Sequence, residues 1–377
     1  MKARSLLLSL CACGFFCSTP SQAASYGSLY IFGDSLADTG NNAWVFDVAM
    51  PVLASQPGYG FLGAYVGQRT EAPIAPGVDE VDGTLVPTFP YTSNRYSNGG
   101  VWPDYVSAIT GLPTQAALAG LSFSQAMSGQ INGTNFAFGG ARVGSTPPLG
   151  FPFSLVDQVS AYALLLNGNP APSNALFIVE GGGNDVRDVF AAAIDGDPTT
   201  DPNALIQNYL DGMTTVLNTL AYVGAQHIAV WNVPDIGITP AVQSLVTIEP
   251  MATLVAGGIA MAMNSELELL LNGFDAVFDG DLMLFDLHDA MANIYGNPGL
   301  YGLTNVSDPC AVSIACVNDP SGYLFWDGIH PTTYGHSLLA QAFLAAVPIG
   351  RVPEPGTLWL MLVALLPAVF RQRSARR

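Results

Sequence analysis

The sequence predicts an α/β sandwich built on a mainly parallel sheet of about five strands, and three observations carry that prediction. Short β-rich runs alternate with longer stretches of helical period, the pattern of strand-helix-strand units. One run, Ala175 to Glu180, is apolar almost throughout, as expected of a strand buried on both faces of a parallel sheet. Each run also ends in small and polar residues, which gathers the turns at the carboxyl ends of the strands, where such sheets bind ligands.

Taken in order, Leu29 to Phe32 is the first strand and ends in Gly33-Asp-Ser-Leu36. From there to Arg95 the chain is punctuated by Pro51, Pro57, Gly58, Gly60, Pro73, Pro76, Gly77, Gly83, Pro87 and Pro90. No period is sustained there, so the stretch is expected to be irregular, with short helical pieces over the carboxyl edge of the sheet. Such a loop forms an acyl or sugar pocket, or is only a surface excursion. A helical run follows Asp104 through Tyr105 and Ile109 to Gly111, and Asn135 to Phe138 reads as a strand ending in Gly139-Gly140-Ala141. Ser154 and Asp157 have the spacing of a capping box before an apolar-striped helix from Leu155 to Leu166. After the Ala175 strand comes Gly181-Gly-Gly-Asn-Asp185. Leu205, Tyr209, Met213, Val216 and Leu220 then mark a helix that stops at Gly224. His227 to Trp231 is a strand, Pro250 to Leu271 a long helix, Leu282 to Phe285 the last strand and Tyr334 to about Ala346 the last helix. These elements form one domain from Ser25 to Ile349.

Half of the 377 residues are hydrophobic and the formal charge is −18. Lys2, Arg4, Arg371, Arg373, Arg376 and Arg377 sit at the two ends, leaving only Arg69, Arg95, Arg142, Arg187 and Arg351 between them. Such a surface repels phosphate backbones and anionic lipid, which excludes nucleic-acid binding and electrostatic membrane docking as expectations. A substrate neutral or cationic at its reactive end fits better.

Both ends read as addresses. Lys2 and Arg4, an apolar run from Leu6 to Cys17 and the small residues before Ala23 make residues 1–23 a secretory signal peptide. Cys11, Cys13 and Cys17 leave with it, so Cys310 and Cys316, with five residues between them, are expected to pair as a disulfide in an oxidising compartment. At the other end, Pro353-Glu-Pro355, a short apolar stretch from Leu358 to Phe370 and a basic tail resemble the PEP-CTERM sorting signal of exported bacterial proteins. For residues 352–377 the resemblance implies transient inner-membrane anchoring, processing by an exosortase, and delivery to the cell surface or extracellular matrix.

Acyl transfer needs a nucleophile, a base, an orienting acid and donors for an oxyanion. Ser35, on a tight turn after a strand, supplies the first. Asp327-Gly-Ile-His330 places an acid three residues before an imidazole, able to fix its tautomer and leave the other nitrogen facing the serine. The Ser35 amide, an amide of the Gly139-Gly140 pair and the Asn184 side chain are candidate donors. Asp34 is read as shaping the turn.

Four blocks, Gly33-Asp-Ser-Leu36 with its extension Ala-Asp-Thr-Gly-Asn-Asn42, Asn135-Phe-Ala-Phe-Gly-Gly-Ala141, Gly181-Gly-Gly-Asn-Asp185 and Asp327-Gly-Ile-His-Pro331, resemble those of the GDSL, or SGNH, hydrolases. Arg95-Tyr-Ser-Asn-Gly-Gly-Val-Trp-Pro-Asp104 and Asn232-Val-Pro-Asp-Ile-Gly237 match as well. The resemblance implies a flavodoxin-like three-layer sandwich and hydrolysis of carboxylic esters without metal or cofactor. It makes Ser35 the nucleophile, His330 the base and then the acid, Asp327 its partner, and Gly140 (or Gly139) and Asn184 the rest of the oxyanion hole. Glu180 departs from the apolar or small residue usual before the third block, and an acid there is expected to tune or restrict the pocket.

Other readings fare worse. Val186 stands where a dinucleotide fingerprint needs its third glycine; His227, His288 and His336 have no ligand spacing. Asp195 to Asp201 lacks the order of a calcium loop and reads as solvated. Within the hydrolase class, generic ester hydrolysis ranks first and O-deacetylation of an exported polysaccharide second, with phospholipase or acyltransferase chemistry open. An inactive surface or matrix-binding module is the reading outside that class.

Overall fold

A computed structural model describes residues 24–74, 85–144, 146, 150–195, 200–347 and 349–350. The expected signal peptide, the C-terminal sorting segment and the middle of the Asp195–Asp201 stretch lie outside the described residues.

Four parallel strands, β1 (Ser28–Phe32), β2 (Ala175–Val179), β3 (His227–Trp231) and β4 (Asp281–Phe285), pair in the order β1-β2-β3-β4. The five residues of β2 are all buried, as its apolar run requires. The expected fifth strand is a correction: Asn135 makes a single parallel bridge to Ile31, and the Asn135–Phe138 segment is not a strand. It still runs beside β1, since Ile31 N–H donates to Thr134 and Phe136 N–H to Ile31. On its other side it meets Gln115 to Ala117, with the Asn135 N–H donating to Gln115 and the Ala117 N–H to Asn135, and asparagine side chains add further bonds. Asn41 Nδ2 donates to the Asn135 and Ala137 carbonyls, each at 2.9 Å, and Asn135 Oδ1 accepts the Ala137 N–H.

This segment nonetheless fixes the topology. From β1 the chain goes to the outer side of β1, then returns to form β2 on its inner side. That reversal is a topological switch point, and the carboxyl end of β1 lies at it.

Alternate residues of the strands feed two cores. Phe32, Phe177, Val179, Ile228 and Val230 pack under α2 (Leu155–Leu165), α3 (Gly183–Asp195), α4 (Pro202–Tyr222) and α5 (Ala252–Asp275). Leu29, Ile31, Leu176, Ile178, Ala229 and Trp231 face α1 (Trp102–Thr110), α6 (Leu287–Gly296) and α7 (Thr333–Ala346). The first set of helices and the second make the outer layers of a three-layer α/β/α sandwich. Trp102, Trp231 and Phe343 interlock in the second core, the two indoles 4.5 Å apart by ring centre. Helix ends follow their chemistry: Ser154 caps α2 and shares a capping box with Asp157, and α1 ends at Gly111 in the left-handed region.

Between β1 and α1 the Gly- and Pro-rich stretch contains short turns of helix, Asn41–Trp44, Val45–Ala49, Met50–Ala54 and Gly60–Tyr65, joined by irregular chain. Residues 75–84 of it lie outside the described residues. Phe46, Met50 and Phe138 anchor this excursion in a small apolar cluster of its own. Cys310 and Cys316 are joined by a disulfide, and the amides of Cys310 and Ala311 donate to the Phe325 and Trp326 carbonyls. The bridged loop therefore backs the turn that begins at Asp327.

Candidate active site

Ser35 follows β1 on a turn locked from three sides. The Gly33 N–H and C=O both bond to the Gln158 side chain at 2.9 Å, and Asp34 Oδ1 accepts the Leu36 N–H at 3.0 Å. The Asp34 carbonyl takes the Ala37 and Asp38 amides, closing a helical turn over the serine. Gly33 has no room for a side chain: a Cβ would stand 2.7 Å from Glu180 Oε2 and 2.8 Å from the Glu180 carbonyl.

His330 and Asp327 come from the far end of the chain, on a loop closed by the bridge between Phe325 and Pro331 and the Trp326 N–H to His330 C=O bond. The loop leads into α7, capped by Thr332. His330 Nε2 is 2.8 Å from Ser35 Oγ, while Nδ1 is 2.8 Å from Asp327 Oδ2 and 3.0 Å from Oδ1. Asp327 Oδ1 also accepts the amides of Ile329 and His330, so the acid is fixed by its own turn before it touches the ring. All three side chains are buried.

The acid has a partner that no motif announces. Tyr91, from the irregular stretch, donates its hydroxyl to Asp327 Oδ2 at 3.0 Å. Burial and the adjacent carboxylate push the phenol far above its usual range, so it remains a donor. Tyr96 lies against the imidazole, ring centres 5.4 Å apart, and its hydroxyl receives Asn42 Nδ2 at 2.7 Å. A tyrosine in a Gly/Pro-rich loop carries no periodic signal, and only the neighbouring Arg95–Asp104 block hinted at order there.

Three donors surround the space beside Ser35 Oγ. Among the described residues no acceptor takes the Ser35 or the Gly140 N–H. The Gly139 N–H, by contrast, donates to Asp38 Oδ2 at 3.2 Å, so of the two glycines the geometry favours Gly140. Gly140 has φ +83° and Gly139 meets the Tyr96 ring where a Cβ would be, which accounts for the glycine pair. Asn184, in the first turn of α3, donates to the Ala141 carbonyl at 2.9 Å and stands 3.5 Å from Asp34 Oδ2. These loops flank Ser35 because they follow the two neighbours of β1 at the switch point.

The extension after the serine ties the two sides together. Asp38 accepts amides from Gly40, Asn41, Asn42 and Gly139, and Asn42 Nδ2 donates to the Gly139 carbonyl. Burial raises Asp38 and the four N–H donors pull it back, which leaves it at about 6 and mostly ionised at neutral pH. Asp185 does similar work from α3, accepting the Val143 amide; burial pushes it up to about 7.

A cavity of about 460 Å³ opens beside Ser35, Gly140, Asn184 and His330, walled by Phe46, Met50, Leu62, Phe89 and Phe151. Most of that wall belongs to the irregular stretch, so it is a pocket wall and not a surface excursion. Arg142 stands at its rim in a two-pronged pair with Asp188, at 2.9 and 2.8 Å. A depression of about 50 Å³ on the other side of Ser35 is bounded by Leu36, Pro234, Ile236, Leu287 and Ile329. Glu180 lines neither, so it does not restrict them by contact; it is buried behind Gly33. Among the described residues, Asp286, His288 and Asp289 are a group with metal-ligand spacing. The two acids are exposed and His288 is half-buried; the Asp286 carboxylate caps α6 and receives Asn232, and Asp289 faces His288 Nδ1.

Comparison with known proteins agrees with this arrangement. A model of the family described as GDSL-like lipase/acylhydrolase matches residues 29–343. GDSL esterase/lipase 6 of Arabidopsis thaliana is 24% identical over 345 residues, covering 84% of this chain and 85% of the relative. GDSL esterase/lipase At5g55050 of the same plant is 26% identical over 348 residues, covering 85% of this chain and 84% of the relative. With the matched segment covering most of the chain and all four blocks, the chain belongs to the GDSL-like lipase/acylhydrolase family.

Proposed function

We propose that this carboxylester hydrolase works through an acyl-enzyme on Ser35, and that it prefers acyl groups longer than acetyl. The unbroken line from Asp327 through His330 to Ser35 Oγ carries the reading. His330 Nε2 takes the Ser35 proton as Oγ attacks the ester carbonyl, while Asp327 holds the proton on Nδ1 and stabilises the imidazolium. The carbonyl oxygen gains charge facing the Ser35 and Gly140 amides and Asn184 Nδ2, donors already aimed and therefore cheap to use. Collapse of the adduct sends the imidazolium proton to the leaving alcohol, and water, deprotonated by His330, releases the acid. No metal or cofactor has a part in these steps.

The apolar cavity supports the acyl preference. Its volume and aromatic wall suit an aliphatic chain, and an acetyl group would leave most of it unfilled, which ranks polysaccharide O-deacetylation below ester hydrolysis. Purified protein assayed on aryl esters of increasing acyl length should show kcat/KM rising beyond acetate, and Ser35→Ala should lose at least about a hundredfold. Equal rates for Ser35→Ala and the parent would refute the mechanism, and a preference for acetate would refute the chain-length reading.

We propose further that the enzyme acts after export from a bacterial cell, anchored for a time in the inner membrane and processed by an exosortase-type enzyme. The Cys310–Cys316 disulfide supports an oxidising compartment. Cell fractionation with mass spectrometry of the mature ends checks this: the expected species begins after Ala23 and has lost the basic tail, and a full-length cytoplasmic chain would contradict it.

A further inference from the structure

Beneath the nucleophile turn lies a second pair of acids that the hydrolytic steps do not use. Glu180 leaves β2 immediately after Val179, with its own amide bonded to the Phe32 carbonyl at 2.9 Å. Its side chain turns under Gly33, where Oε2 accepts the Asp34 N–H at 3.4 Å and would stand 2.7 Å from a Cβ on Gly33. Both residues are 2% exposed. Two buried carboxyl groups on one turn disfavour two charges, because like charges repel and neither has water to turn to, so the pair holds a proton.

The Asp34 carboxyl is thus a junction. Oδ1 receives the Leu36 amide, which shapes the turn on the far side of Ser35, and Oδ2 faces Asn184 Nδ2 at 3.5 Å. We propose that Glu180 is a positioning residue for ester hydrolysis: its carboxyl, accepting the Asp34 N–H, braces the turn that presents Ser35 and weakens the hold of Asp34 Oδ2 on the Asn184 N–H, which can then turn to the oxyanion. A full carboxylate at Asp34 would compete for that N–H and would set negative charge beside the developing oxyanion. The proton that the pair holds offsets that charge.

The prediction concerns both chemistry and pH. Burial raises the pKa of both acids, and the Asp34 charge raises Glu180 further, so the pair keeps a proton at neutral pH and loses it as the solution becomes alkaline. Facing Asp34 are His330 from the Asp327 turn, Arg142 from the Gly140 loop and Arg187 from α3, with Asp185 on the same helix adding negative charge. Of these, Asp185 is itself raised by burial, so only comparison with a variant that cannot lose the proton isolates Glu180.

The inference rests on the esterase reading, and the test keeps the two separable. Glu180→Gln supplies a permanent N–H to Asp34 and an oxygen for its amide; Glu180→Leu supplies neither. Expected results are a kcat within about threefold of the parent for Glu180→Gln at pH 7, with the alkaline fall of kcat shifted upward or absent. For Glu180→Leu, kcat should fall at least tenfold with KM changed less. Independently of activity, difference infrared spectroscopy of parent minus Glu180→Gln at pH 7 should show the carbonyl stretch of a protonated carboxylic acid. An identical alkaline limb in parent and Glu180→Gln, or no such carbonyl band, would overturn the proposal whether or not Glu180→Leu folds. An absent esterase activity with the band present would instead strike at the function, leaving the carboxyl pair intact.

Discussion

At the scale of single residues, Tyr91 gives Asp327 Oδ2, the oxygen nearer His330 Nδ1, a donor of its own, where the two turn amides both go to Oδ1. A hydrogen bond to a charged group is worth about 2 kcal/mol. Tyr91→Phe should therefore lower kcat roughly tenfold, since each 1.4 kcal/mol of barrier is a factor of ten. KM should change little, because the hydroxyl touches the acid and not the substrate. Steady-state kinetics on one aryl ester checks this, and an unchanged kcat would mean that the turn amides of Ile329 and His330 suffice to hold Asp327. The blocks that hold Ser35, Asp327, His330, Asn184 and the Gly139-Gly140 pair were legible in the sequence, since each has its own short spacing, and the structure joins Ser35, His330 and Asp327 by hydrogen bonds. Tyr91 was not legible, because one hydroxyl reaching an acid 236 positions away leaves no local trace.

At the scale of elements, the extension from Asp38 to Asn42 is the clamp between the serine turn and the glycine loop. Its asparagines substitute for strand neighbours along the Asn135–Phe138 edge. That explains why an apolar, β-rich run was read as a strand: the composition follows burial, while the hydrogen-bond partners that decide strand or bridge are distant side chains. Glu180 stands away from both cavity linings for a similar reason. Strand alternation fixes which face a residue takes, but Glu180 is past the end of β2, where the turn decides. Helices fared better, because the three-to-four-residue spacing of α4 and the capping box of α2 are local properties. The clamp itself can be tested. Asp38→Asn keeps one acceptor oxygen for four buried amides, and orphaning buried donors costs on the order of 1–3 kcal/mol each, so a loss of about 3 kcal/mol is expected. Urea unfolding followed by fluorescence should show it as a lower midpoint at constant slope. Loss of esterase activity at temperatures where the variant is still folded would add that Gly139 and Gly140 had shifted.

At the scale of the whole molecule, charge and burial set the response to pH. The chain carries a formal −18, and Asp38 and Asp185 are pushed up to about 6 and about 7, with Glu180 raised as well. A carboxyl raised on folding contributes stability below its unfolded pKa and loses it as pH rises through the folded value. His336 opposes this: burial, then the nearby His330, drives it down to about 3, so its contribution is present above the unfolded pKa near 6.5 and lost on acidification. Three acids outweigh one imidazole between about pH 5 and 8, and relief of self-repulsion acts in the same direction. The melting temperature should accordingly be higher at pH 5.5 than at pH 8, and His336→Leu, if folded, should steepen that difference. A melting temperature that rises steadily from pH 5.5 to 8 would contradict the account of the buried acids. The central claim is that two distant ends of the chain make one nucleophile at Ser35, and its most direct measurement is covalent. Treatment with a fluorophosphonate, proteolysis and mass spectrometry should place a single adduct on the peptide containing Ser35, with labelling lost in Ser35→Ala and strongly slowed in His330→Ala. An adduct on another serine, or labelling of Ser35→Ala at the parent rate, would contradict it.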